Sequence, residues 1–360
     1  MRIVDRYVLK NVVTSYLFIF CVFVGLFFIA DLFTNLTDIL KAKTPFPVLG
    51  QYYLYMLPLI FKWVSPYSLL ISVLYVFGEL NKNNEIITIR SAGISVIRFS
   101  FPVLFLAFFI SVIAFFMQEN LLMASQKRIN DIKIQSIKKN TSATAEDLSF
   151  SSSNKIIFAR SFSLKDKTLH GVTIFEKDTK ENIIKKVICS TITYEDDHWV
   201  ARDVYEYHLD ENGRILDRPA IWQKLDIALE EKPQEIIFKR ALFSEFAPLK
   251  NIHKEIRHLK RIQAYDKLQN LIIDYHQKIV EPFSHFFLIV GILPFALEIK
   301  KRKVTLSAIG VGLMFGFIYY SFLAIGVALG KAGMILPVFA PWTTPIFFLV
   351  VGFTGIFFIR

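Results

Sequence analysis

Two sets of residues in this chain have the types and spacing to do chemistry. The first is NEIITIRSAGIS (84–95), in which Glu85 and Arg90 stand around Ile86, Ile87 and Ile89 between two long apolar runs. Pattern alone allows a short amphipathic helix, or a plain polar turn with Glu85 solvated. The second set is Lys41, Lys43 and Lys62. Three ammonium groups of this kind suit a phosphorylated headgroup, held by charge-assisted hydrogen bonds. The plainer alternative is that Lys62, the lone charge inside its apolar run, extends its ammonium to the membrane surface.

Other chemistry finds little support. GVALGKAG (326–333) has the glycines of a phosphate loop but the wrong spacing, and no Ser or Thr follows Lys331. HKEIRH (253–258) is not H-E-x-x-H and brings no third ligand, so it reads as a solvated helix. No Gly-x-Ser-x-Gly elbow occurs. No catalytic residue, metal site or cofactor is expected. Cys21 lies in an apolar run and Cys189 in a polar one, which argues against a disulfide. Asp31, Glu281 and Glu298 fall near the ends of apolar runs, where interfacial solvation is expected.

The elements that must position these residues follow from hydropathy. Of 360 residues, 53% are hydrophobic and 36 are Phe, a composition of membrane proteins. The net charge of +11 fits anionic lipid headgroups better than nucleic acid. The 20 residues between Lys10 and Asp31 carry no charge, enough for one crossing. Further apolar runs cover about 49–78, 99–118, 279–297, 304–330 and 332–359. The first run lacks a small-residue cleavage site, so no cleavable signal is expected. Lys and Arg gather at Arg2, Arg6 and Lys10, at Lys82, Arg90 and Arg98, and at Lys300, Lys301, Arg302 and Lys303. That bias puts both termini and the 84–95 segment inside, with Lys41 and Lys43 a weak counter-vote.

Between the third and fourth runs the character changes. KIIFARSF (155–162), LHGVTIFEKD (169–178), IIKKVICSTITYED (183–196), HWVARDVYEYHL (198–209) and RILDRPAIWQKLDIAL (214–229) read as closely spaced strands. Asn-Gly within DENG (210–213) marks a hairpin turn. A sandwich or jelly roll is expected, flanked by helical segments at 125–140 and 251–279.

The order of DRYVLK (5–10), NEIITIRSAGIS (84–95) and KIVEP (278–282) around this layout resembles the lipopolysaccharide-export permeases, two paralogous subunits called F and G. The likeness covers nearly the whole chain, and DRY is more like the G-type. It implies an α-helical integral membrane protein with six transmembrane helices and a periplasmic all-β, jelly-roll-like domain between helices 3 and 4. The expected division is 1–124 for helices 1–3, with a cytoplasmic coupling helix at about 79–95, then 125–275 for the β domain and its connectors, and 276–360 for helices 4–6. The resemblance further implies an inner-membrane permease of an ATP-binding-cassette exporter, without catalysis of its own. Its partners would be an F-type permease, a homodimeric cytoplasmic ATPase, a bitopic periplasmic adaptor with a β jelly roll, and lipopolysaccharide or a related anionic lipid. Glu85, Ile86, Ile89 and Arg90 would then dock the ATPase, with Gly93 and Ser95 ending the helix. Lys41 matches a basic family position, whereas Asn35 stands near where another basic residue is usual.

Moving such a lipid needs an energy source and an apolar route, because one chain of a dozen carbons costs roughly 10 kcal/mol if left in water. Gly312 and Gly316, then Gly326 and Gly330, form two small-x-x-x-small patterns for close helix contact, either within the subunit or as a gate against a second permease. The alternatives are an ion-coupled lipid carrier, disfavoured by the want of a mid-membrane carboxylate, and a membrane scaffold or sensor with an outer β domain.

Overall fold

In lipid, a chain must satisfy every backbone N–H and C=O within itself, so long apolar runs become helices. The computed structural model describes residues 3–133, 144–152, 155–163, 166–177, 183–195, 198–209, 216, 218–227, 248–261, 265–298 and 304–358. Among these, six helical stretches are long and apolar enough to cross a membrane: Ile3–Ala42, Phe46–Lys82, Ile97–Ile132, Leu268–Leu297, Ser307–Lys331 and Ala340–Phe358. The chain forms two compact units, residues 1–132 with 246–360, and residues 133–245. The helices that flank the β unit pack with the bundle.

The bundle comprises α1 (Ile3–Ala42), α2 (Phe46–Lys82), α3 (Glu85–Ser91), α4 (Val96–Asn120), α5 (Leu122–Ile132), α6 (Leu249–Arg261), α7 (Tyr265–Val280), α8 (Ser284–Glu298), α9 (Val304–Lys331) and α10 (Thr343–Phe358). A 3₁₀ turn at Glu281–Phe283 joins α7 to α8, and another at Ala340–Trp342 precedes α10. At its centre is α2, which packs against α1, α5, α8 and α9. Leu69, Leu70, Val73, Leu74 and Phe77 on α2 are fully buried with Leu288, Ile292 and Leu293 of α8. Close helix approach in lipid needs small or polar residues at the contact. Ser65, Ser68 and Ser72 of α2 serve this, all buried, with Ser68 and Ser72 hydroxyls donating to the Val64 and Leu69 carbonyls of their own helix.

The glycines of α9 work in the same way. A Cβ on Gly312 would stand 2.8 Å from Ile71 Cγ1, and one on Gly316 would collide with the Tyr67 ring, both on α2. A Cβ on Gly326 would meet Thr343 Oγ1 at 2.6 Å, and one on Gly330 would collide with Ala340. All four lie against their own chain.

Among the described residues of the β unit, six strands pair antiparallel in chain order: β1 (Thr144–Ser152), β2 (Lys155–Ser163), β3 (Thr168–Lys177), β4 (Ile183–Glu195), β5 (His198–His208) and β6 (Ala220–Ile227). Register aligns apolar rows across the sheet, which fixes one face as the buried one. Ala159, Val172, Cys189 and Val204 form one such row, and Phe162, Leu169, Ile192 and Ala201 another. All eight are buried. Trp199 opposite Tyr194 closes one end, their rings 5.0 Å apart. The five strands of the sequence reading recur here as β2–β6 with small shifts, β6 being shorter, and β1 is an additional strand. The DENG turn lies outside the described residues.

Candidate functional site

The connection between α2 and α4 folds as one compact piece. After α2 ends at Lys82, Asn84 adopts φ +58 and α3 begins at Glu85, a carboxylate in a first turn where it meets the positive end of the helix. Gly93, at φ +80, closes α3: its N–H donates to Arg90 O at 2.9 Å, and Ile94 N–H to Ile89 O at 3.3 Å. Ser95 starts the next element instead of ending this one, its hydroxyl accepting from Arg98 N and capping α4.

On α3 the isoleucines divide. Ile86 is 4% exposed within the bundle core and Ile89 packs against that core, whereas Ile87 is 47% exposed beside the exposed Arg90. Of the four residues expected to face a partner, Ile86 and Ile89 therefore hold α3 on the bundle. Ile87, Thr88, Arg90 and Ser91 are exposed, and Glu85 is half-buried. Glu85 also lines a cleft of about 330 Å³ with Lys10, Tyr75, Glu79 and Asn83. Behind α3, Arg98 of α4 grips Asp5 of α1, and Asn81 Nδ2 donates to Leu297 O at 2.7 Å, tying α2 to the end of α8.

The three lysines do not form one cluster. Lys41 and Lys43 are exposed at the turn from α1 to α2, Lys43 at φ +50. Lys62 lies sixteen positions beyond the start of α2, roughly 24 Å along the axis at 1.5 Å per residue. Nor does Lys62 simply reach for the surface, or Glu281 rest in interfacial water. Lys62 Nζ is 3.0 Å from Glu281 Oε2, with side chains 14% and 21% exposed. Two charges that would each be costly in an apolar setting neutralise one another. Gln277 Nε2 donates to the other carboxylate oxygen at 2.8 Å, and Lys62 Nζ lies 5.2 Å from the Trp63 ring centre.

This pair borders a cavity of about 460 Å³ walled by Phe61, Met117, Leu122, Leu323 and Val327, with Gln118, His285 and Tyr320 also at its edge. His285 is fixed by its neighbours. Nδ1 faces the Pro282 carbonyl at 2.9 Å, which can only accept, so Nδ1 carries the hydrogen. Nε2 then accepts from Ser65 Oγ at 2.9 Å, and Ser65 accepts from Tyr16 OH at 2.7 Å. One hydrogen-bonded line thus joins α1, α2 and α8. Lys331, which also lines the cavity, pairs with Asp274 at 3.1 Å.

A family model described as Lipopolysaccharide export system permease LptF/LptG matches residues 6–359. The chain belongs to the LptF/LptG family. No curated protein matches it. Family and six apolar helices together describe a multi-pass inner-membrane component of lipopolysaccharide export, a transport part and not a catalyst. In this LptF/LptG chain the sequence reading missed Glu281, Gln277, His285, Asp274 and Lys331. A usable signal was present: Lys62 and Glu281 are lone opposite charges in facing apolar stretches, and Asp274 and Glu281 are spaced by two helical turns.

Proposed function

We propose that this LptF/LptG chain is a G-type permease subunit of an ATP-binding-cassette exporter. It extracts lipopolysaccharide, or a related anionic lipid, from the outer leaflet of the inner membrane and passes it to a periplasmic β jelly roll, of which the six-stranded meander is part. A separate homodimeric cytoplasmic ATPase drives the step, an F-type permease completes the membrane pair, and a bitopic adaptor receives the lipid. The family match over residues 6–359 carries this reading.

In the proposed arrangement both termini and α3 are cytoplasmic, and α3 is the coupling helix. Its anchored isoleucines, its outward Ile87 and Arg90, and Glu85 at the edge of the adjoining cleft support the assignment, because a helix that transmits force must be both held and presented. Lys41 and Lys43 meet lipid phosphate at the outer surface, and Lys62 meets it deeper. An ion-coupled carrier is no longer disfavoured by want of an intramembrane carboxylate, since Glu281 lies within the fourth span; the family match weighs against it instead. The test is co-purification with the ATPase. The parent chain retains the ATPase, and Glu85→Ala releases it without loss of membrane insertion; unchanged retention and unchanged export by that variant overturn the docking role.

A further inference from the structure

The segment 253–258, which reads in the sequence as no more than a solvated helix, lies within α6, and α6 has two distinct faces. Leu249, Ile252 and Ile256 recur at helical spacing; Ile252 is buried and the other two are half-buried. Lys250, His253, Arg257 and Lys260 recur at the same spacing on the adjoining face, and all four are exposed. The apolar face is taken up by the chain itself. α6 packs along α7, where the His253 and Tyr275 ring centres are 6.2 Å apart, and the Leu249 N–H donates to Glu119 Oε2 at 2.9 Å. The basic face is not taken up. Among the described residues no carboxylate pairs with Lys250, Arg257 or Lys260, whereas Lys62 and Lys331 hold Glu281 and Asp274.

Three contacts set the level of this face. Glu119 follows directly on the third apolar run (99–118), so its bond to Leu249 fixes the start of α6 at the end of that crossing. On α7, Gln269 Nε2 donates to Gly330 O at 2.7 Å and Asp274 pairs with Lys331, both at the end of α9. α6 and α7 are thereby held at the ends of the third and fifth crossings, where the acyl layer gives way to headgroups. Lys250 and Lys260 are ten positions apart, so the basic stripe extends roughly 15 Å along the axis.

We propose that this face of α6 seats the protein on the surrounding bilayer by binding the headgroups of anionic phospholipid such as phosphatidylglycerol. Charge complementarity decides the occupant. Three cations that the described chain leaves unneutralised stand at headgroup level, and an anionic lipid surface attracts each Lys or Arg within about a Debye length of it. His253, between Lys250 and Arg257 on the stripe, adds a ring N–H that can donate to a phosphate oxygen. The level favours lipid over an acidic protein, which could be met at any height. The lipid is the bulk phospholipid and not the exported one, because none of the four side chains lines the cavity of the bundle. The inference goes beyond the export reading and takes from it only the membrane setting.

The experiment places a fluorophore on Asn251→Cys, beside Lys250, in a Cys21→Ser background of the full-length chain in phosphatidylcholine nanodiscs. Quenching by spin-labelled phosphatidylglycerol is compared with quenching by spin-labelled phosphatidylcholine, which gives the relative affinity of the two lipids at this face. Phosphatidylglycerol is favoured at least about fivefold at low salt. Lys250→Gln, Arg257→Gln and Lys260→Gln together bring the ratio close to one, and so does about 1 M salt. Because all three side chains are exposed, the melting temperature of the triple variant stays at that of the parent. Lys127→Gln with Arg128→Gln, exposed cations of α5, serves as the comparison and leaves the ratio unchanged. A parent ratio near one overturns the proposal and leaves the face to an acidic protein. A preference that survives in the triple variant, or that the α5 variant abolishes equally, puts the anionic lipid elsewhere and overturns it as well. Neither ATPase nor cargo is present, so these outcomes are distinct from failure of the export reading, which co-purification tests.

Discussion

Arg98 holds Asp5 with both ends of its guanidinium: Nη1 is 3.2 Å from Oδ1 and Nη2 is 3.0 Å from Oδ2. The two residues open α4 and α1, so this fork closes the end of the bundle behind α3. A planar fork matches a carboxylate in a way an ammonium does not.

Arg98→Lys should therefore cost about 1 kcal/mol although charge is conserved, and Arg98→Ala somewhat more, since the buried Asp5 carboxylate then loses both guanidinium bonds. Thermal melts of the two variants and of Asp5→Asn, combined in a double-mutant cycle, measure the coupling. An additive cycle would show that the fork contributes nothing.

The division of isoleucines on α3 separates stability from docking. Ile86→Ala opens the core and should destabilise the bundle by about 2–4 kcal/mol. Ile87→Ala should leave the melt within about 0.5 kcal/mol of the parent while weakening association with the ATPase. Melting curves and pull-downs on the same two variants give the answer, and a reversed order would place the docking face elsewhere.

Glycines on α9 make a graded series. At Gly310 an added Cβ meets nothing within 4 Å, so Gly310→Ala should be neutral or slightly stabilising. Gly326→Ala drives a Cβ to 2.8 Å from the Ala340 carbonyl oxygen, a backbone atom that cannot rotate away. It should cost about 1–3 kcal/mol. Comparing the two melts checks whether α9 is locked against the turn before α10.

Burial pushes the Cys189 thiol in the β unit up to about 12, its sulfur lying 3.7 Å from the Val172 carbonyl. An unfolded thiol titrates near ~8.5, so the stabilisation from keeping it protonated is complete below that pH and is lost as pH rises towards about 12. Iodoacetamide should label Cys189 slowly at pH 9 in the folded protein and fast in urea. Cys189→Ala should flatten the fall in stability of the β unit above pH 9, read by intrinsic fluorescence of Trp199.

Sidedness is testable by labelling. In a Cys21→Ser background, Asn83→Cys and Asn212→Cys should react with an impermeant maleimide from opposite faces of the membrane, Asn212 from the periplasm. Labelling of both from one face would remove the proposed topology.

Hydropathy made the six crossings legible because apolar run length is a local property. Their ends were not legible. The first charge-free run holds 20 residues, yet α1 runs to 40, since polar residues such as Asp31 and Asn35 continue a helix without difficulty when they bond within it. Five strands of the β unit emerged because alternation is equally local, whereas β1 (Thr144–Ser152), rich in Ser and acidic residues, did not. The Lys62–Glu281 pair did not, because it depends on which helices become neighbours, and hydropathy is silent on that. The split between Ile86 and Ile87 also escaped, since a seven-residue helix is too short for its periodicity to show a face.

The length of α1 has a mechanical corollary. Forty residues make a rod of roughly 60 Å, about twice the thickness of the acyl layer, and no proline interrupts it. Such a rod is a lever. With Asp5 clamped at one end, a tilt of about 5° sweeps the far end, where Lys41 sits, through about 5 Å, the pitch of one helical turn. A small shove at one end of α1 would thereby be returned as a full step at the other, carried with α2, to which Tyr16 ties it through Ser65.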